Sequence, residues 1–148
     1  MKLEAPDLAD KSGFMKKEYT VDGADVSPEL TWSDVPAGTK SFALWVHDPD
    51  APDPKKPLRD WKHWIIVNIP ATARKIPKGG TIGEEIPNDG GGKEYGGPSP
   101  PIGVHRYFFK LYALNVDKLA GVTKDTFMKK VEPYKIAEAE IMAKYGRK

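Results

Sequence analysis

The chain has 148 residues and no cysteine, which excludes disulfides, thiol nucleophiles and thiolate metal sites. It has no apolar run approaching the roughly 20 residues that a membrane helix needs. The opening MKLEAPDLAD places acids and a proline where a signal peptide carries an apolar stretch. A cytoplasmic protein without stable membrane insertion is the expectation. Dense blocks of one charge are missing as well. The 23 Lys+Arg and 21 Asp+Glu leave a formal net charge of +2, and basic runs are pairs such as Lys16-Lys17. Nucleic-acid affinity needs a concentrated positive patch, so no nucleic-acid partner is expected.

What is present suits one globular domain over residues 1–148, with neither an internal repeat nor a linker. Hydrophobic residues make up 39% of the chain, enough for a sizeable core. Residues 1–40 are broken by turn signals (Ser12-Gly13, Asp22-Gly23, Ser27-Pro28), with short strands expected at Lys17–Val21 and Leu30–Trp32. Ser41–His47 alternates as a strand with two apolar faces, Phe42, Leu44 and Val46 against Ala43 and Trp45. The following Asp48-Pro49-Asp50-Ala51-Pro52 is expected to end it, because prolines there fit a loop better than a central sheet. Lys62–Ile69 and Val104–Ala113 are further strands, the latter rich in aromatics.

Between them, residues 75–103 carry many glycines and prolines and little periodicity. So long a loop in a compact domain suggests a functional one. Near the C-terminus the period changes. Lys124–Val131 is expected as a short helix, and a last helix is expected from Pro133 to just before Gly146, with Ile136, Ala139 and Ala143 on its apolar side. Strands first and helices late predict a mainly β domain with peripheral helices.

Asp48 and Asp50, at i and i+2 around a proline, could share a proton, hold a cation or accept from an amine or hydroxyl. The plainer alternative is a turn with solvated or backbone-capping acids. His63 and His105 each lie inside a core strand, and a buried imidazole needs a partner. His47 reads as an ordinary strand-end residue. His105 and Tyr107 share a strand face and could both donate to an anion, while Arg106 points to the other face and suits a structural ion pair. Gly97 could add a backbone N–H. No compact metal motif joins the acids and histidines, and Ser99 lacks the strand-to-helix elbow of a serine nucleophile. No catalytic residue, metal or cofactor is assigned.

The blocks Asp48-Pro49-Asp50-Ala51-Pro52, Trp61-Lys62-His63-Trp64 and Gly103-Val104-His105-Arg106-Tyr107 resemble the phosphatidylethanolamine-binding protein family, also called the Raf kinase inhibitor protein family. Ser27-Pro28-Glu29-Leu30-Thr31-Trp32, Asn68-Ile69-Pro70-Ala71 and Gly96-Gly97-Pro98 are similar to its bacterial and archaeal branch, and the likeness spans residues 3–145. The resemblance implies a large central antiparallel sheet flanked by a smaller sheet, with short C-terminal helices. It also implies a pocket for phosphate-like or carboxylate anions. Carried over by position, Asp48 and Asp50 form an acidic rim, and His63 and His105 face the anion. Gly97 gives backbone access, and Tyr107 closes the site. Ser99 stands where a cysteine is common in that branch, and Pro133-Tyr134-Lys135 departs from its histidine-containing pattern. Implied partners are a small anionic ligand, a protease or kinase in some members, and a second copy as a homodimer. Binding is the preferred reading, with a protein-interaction module as the alternative and a phosphoester-processing enzyme third.

Overall fold

Residues 1–146 are described by the computed structural model. Thirteen residues, Ser41–Asp53, form one long central strand, β3 in a chain order that begins with β1 (Lys2–Glu4) and β2 (Leu30–Ser33). The strands that follow are β4 (Lys56–Pro70), β5 (Lys75–Ile76), β6 (Glu84–Glu85), β7 (Val104–Leu114) and β8 (Lys135–Gly146), with one short helix, α1 (Phe127–Val131), before β8. They make a five-stranded antiparallel sheet in the order β6-β4-β3-β7-β8 and a three-stranded sheet, β1-β2-β5. The fold is mainly β, two antiparallel sheets with one short α-helix near the C-terminus.

The alternating apolar residues of β3 explain its position. Phe42, Leu44 and Val46 pack with Trp64, Ile66, Phe109 and Leu111 against Leu30 and Trp32 of the smaller sheet. Ala43 and Trp45 face the other way, with Ile65, Val67 and Tyr112 under Phe127 and Val131 of α1. A strand buried on both faces has to be apolar on both.

Three expectations need correction. The acidic, proline-containing segment does not end β3; it runs on as strand to Asp53, paired with β4 through Ala51↔Arg59 and Pro52↔Pro57. The prolines are tolerated for two reasons. The register shifts between Asp48 and Ala51 and again before Pro52. Pairing with β7 has also stopped at His47↔Phe108, so one side of the strand needs no N–H. Lys17–Tyr19 is a 3-10 turn and not a strand, closed by the Thr20 hydroxyl donating to the Lys17 carbonyl at 2.9 Å.

The expected last helix is a twelve-residue strand, β8, paired with β7 from Val104↔Gly146 to Leu114↔Lys135. Its Ala and Glu residues favour a helix. However, Ala137, Ala139, Ile141, Ala143 and Tyr145 alternate inward while Ile136, Glu138, Glu140 and Met142 face out. That period of two matches the open edge of β7, and tertiary pairing overrides propensity. Only a 3-10 turn, Glu132–Tyr134, remains of the helix start that Pro133 suggested.

Candidate functional site

At one end of the large sheet, β3 supplies Asp48, β4 supplies Arg59, Trp61 and His63, and β7 supplies His105 and Tyr107. The loop after β6 closes over them. Asn88 donates its side-chain amide to the His63 and Glu94 carbonyl oxygens at 3.1 and 2.7 Å, and the Gly96 N–H donates to the same His63 carbonyl at 3.2 Å. The result is a cavity of about 670 Å³, lined also by Val21, Pro52, Leu58, Gly97 and Pro100. That lies within the range of small-molecule sites.

His105 sits at the floor, 1% exposed. Its Nδ1 is 2.6 Å from Asp48 Oδ2 and its Nε2 is 2.7 Å from the Ile102 carbonyl oxygen. The carbonyl can only accept, so Nε2 carries a proton, and a second proton lies between Nδ1 and the carboxyl. Whichever atom holds that second proton, the pair has no net charge. Burial pushes the Asp48 carboxyl above its ordinary value, opposed by its hydrogen bond to His105. The other Asp48 oxygen accepts the Asp50 N–H at 2.7 Å.

His63 is arranged differently. Nδ1 donates to the Gly96 carbonyl at 2.7 Å, which fixes the tautomer and leaves a lone pair on Nε2. That nitrogen is buried and has no hydrogen-bond partner, in a residue only 8% exposed. Desolvation pushes the imidazole down to about 4, so it is neutral at physiological pH. The Tyr107 ring lies between the two imidazoles, edge-on to His63 at 5.3 Å and stacked with His105 at 6.3 Å.

The six residues expected at the site do not all face the cavity. Asp48, His63, Gly97, His105 and Tyr107 line it, and Asp50 does not. The Asp50 carboxylate is held by Arg106, accepting from its backbone N–H, Nε–H and terminal N–H at 2.9, 3.0 and 2.9 Å. Those donors, the Arg106 guanidinium first, hold the Asp50 carboxyl below its usual range. Gly97 reaches the wall, but its N–H donates to Asp25 Oδ1 at 2.8 Å, away from any ligand. A side chain there would collide with the Tyr19 carbonyl and the Asp25 carboxylate, which is a packing reason for glycine. Sequence reasoning gave no site role to Arg59, and none to Trp61 beyond its place in the family motif, yet both line the cavity. Both precede His63 at intervals of two along β4, and that period was the available signal.

A profile of the family described as phosphatidylethanolamine-binding protein matches residues 6–146. The chain belongs to the phosphatidylethanolamine-binding protein family. Among its relatives, a UPF0098 protein of Methanothermobacter thermautotrophicus is 40% identical over 91% of this chain and 92% of its own length. The UPF0098 protein YbhB of Escherichia coli is 39% identical over 80% and 81%. Of solved structures in the family, the homologue CT736 of Chlamydia trachomatis superposes with a TM-score of 0.88 at 34% identity, over 99% of this chain and 97% of that one. Escherichia coli YbcL gives 0.86 at 32%, over 99% and 98%. Among the described residues no helix is long and apolar enough to cross a membrane.

Proposed function

We propose that this member of the phosphatidylethanolamine-binding protein family binds a small organic anion, phosphate-bearing or carboxylate-bearing, in the cavity between β3, β4 and β7. The observation that carries the reading is the charge balance of the walls. Asp48 and His105 cancel, His63 is neutral, and Arg59 forms no ion pair among the described residues, so one positive charge is left at the cavity. The guanidinium stands over the Trp61 ring at 5.4 Å, which positions it beside an apolar wall. Leu58, Pro52 and Pro100 extend that wall and suit an apolar portion of the ligand. The family resemblance supports the same class of ligand.

A titration followed by NMR tests the proposal, with inorganic phosphate, phosphoethanolamine and simple carboxylates as probes. Saturable shifts at His63 and the Trp61 indole are expected, and Arg59→Ala weakens them about tenfold, the loss of one charge-assisted contact worth about 1.4 kcal/mol. Silence at both residues with every probe overturns the reading. A second reading, a protein-interaction module such as a protease or kinase inhibitor, draws on the mouth of the cavity. Leu58 is 72% exposed there and Val21 48%, an apolar rim available to a partner. A stoichiometric complex with a serine protease that survives Arg59→Ala and is lost in Leu58→Asp would favour it.

A further inference from the structure

We propose that the outer edge of β8 is a docking site for an extended protein segment, which adds to the large sheet as a further antiparallel strand and carries lysine or arginine opposite Glu138 and Glu140. β8 lines no part of the cavity, so the proposal stands independently of the ligand reading above.

β8 is the last strand in the order β6-β4-β3-β7-β8, so one of its sides has no neighbouring strand in that sheet. At its C-terminal end that side is used. The Lys144 N–H donates to the Gly13 carbonyl at 2.9 Å, and the Lys144 carbonyl accepts the Met15 N–H at 2.7 Å. Backbone direction alternates along a strand, so Glu138, Glu140 and Met142 turn their N–H and C=O groups to the same side. None of the three has a backbone partner there among the described residues. Towards the N-terminal end a register shift takes Ile136 out of the ladder. Proteins blunt open edges with proline, lysine, bulges or a covering loop. Between the covered end and the shift, residues 137–143 hold no proline and no lysine, and Met142 is 45% exposed.

The charges decide the occupant. Glu140 forms no ion pair among the described residues, and Lys110, its neighbour across the ladder, leans over the Phe108 ring instead. Glu138 is half exposed, and its ion-pair partner Lys135, 3.1 Å away, is shared with Glu132 at 3.3 Å. In the antiparallel register that pairs all three open residues of two copies, Glu140 meets its own counterpart. Like charges directly opposite each other are destabilising, so a second copy is disfavoured. A basic residue on a foreign strand meets each carboxylate favourably, and an apolar residue two positions before the first of them covers Met142.

The probe is a capped peptide, Thr-Ile-Thr-Lys-Thr-Lys-Thr, added to the 148-residue chain and followed by NMR hydrogen exchange. Saturable binding is expected. At about ten times Kd the amides of Glu138, Glu140 and Met142 slow about tenfold, while those of Ala139 and Ile141, already bonded to β7, change little. The same peptide with glutamate in place of lysine binds about tenfold more weakly, because two cross-strand pairs change sign. Methylating the backbone nitrogens of both lysines abolishes binding, which plain charge attraction would survive. The double variant Glu138→Lys, Glu140→Lys prefers the glutamate peptide. Should that variant fail to fold, the methylated peptide on the wild type decides alone. No saturable binding of the lysine peptide, or binding that leaves the three amides unprotected, overturns the proposal. Protection of those amides that rises with protein concentration in the absence of peptide would place a second copy at the edge, and overturns it as well.

Discussion

The two floor histidines have opposite hydrogen-bond accounts, and the difference makes each testable. His63 is neutral in the fold, depressed from 6.5 to about 4 by burial. As pH falls below 6.5 the unfolded chain takes up a proton that the folded chain refuses, so stability is lost between about 6.5 and 4. The shift corresponds to about 3 kcal/mol. Chemical denaturation at pH 7 and pH 4 should show a loss of that order, reduced in His63→Asn, with an imidazole NMR titration centred near 4. A midpoint near 6.5 would remove the desolvation argument. His105→Ala acts through Asp48, leaving a buried carboxyl without its partner at a cost of about 3–5 kcal/mol. The Asp48 carboxyl is already raised, and losing His105 raises it further. A raised acid is most stable when protonated, so this variant's deficit is smaller at pH 4 than at pH 7, measured as the difference from wild type at each pH. Strand period placed His105 and Tyr107 on one face, whereas Asp48, expected in a turn, and His63 were brought to the same place only by the family resemblance; in the structure all four line the cavity. The orientations of Asp50 and Gly97 were not legible in the sequence, since they depend on Arg106 and Asp25, 56 and 72 positions away in the chain.

At the scale of the element, β8 shows where local preference misleads. Its sequence, Lys-Ile-Ala-Glu-Ala-Glu-Ile, satisfies a loose helical pattern as well as a strict alternation, and composition favoured the former. The deciding fact is the free edge of β7, which lies far earlier in the chain and cannot be read from residues 135–146. The proline segment of β3 is a parallel case: Pro49 and Pro52 are poor in a ladder with two neighbours and acceptable where only β4 is present. The segment 75–103, by contrast, was singled out by its length, its glycines and prolines and its lack of periodicity; it holds the two short strands β5 and β6, and the part after β6 lines the cavity. Hydrogen exchange separates strand from helix for β8. Lys144 bonds outward, its N–H to the Gly13 carbonyl and its carbonyl to the Met15 N–H. Even-numbered residues therefore point away from β7 and odd-numbered ones toward it. The amides of Ala139, Ile141 and Ala143 should be protected and those of Glu138, Glu140 and Met142 should exchange fast. A helix would protect them all alike.

For the whole molecule, the large sheet separates two tasks. One face packs on the smaller sheet and carries Tyr107 out to the cavity, while the other face is covered by α1. Phe127 is the anchor of that cover, fully buried and stacked on Trp45 at 4.5 Å with the rings 24° apart. It lines no part of the cavity. Phe127→Ala should thus lose about 3–5 kcal/mol, the usual cost of removing a buried aromatic ring. If the sheet unfolds as one unit, the loss appears as a lower denaturation midpoint with an unchanged slope. Binding measured well below that midpoint should stay within about twofold of wild type, because β3, β4 and β7 hold the floor through their ladders and not through α1. A shallower slope would mean that the helix side melts separately, and an accompanying loss of binding would mean that the two faces are coupled through Trp45 and His47. Those rings lie 5.1 Å apart on β3, with Trp45 stacked on Phe127 of the helix and His47 next to Asp48 in the chain.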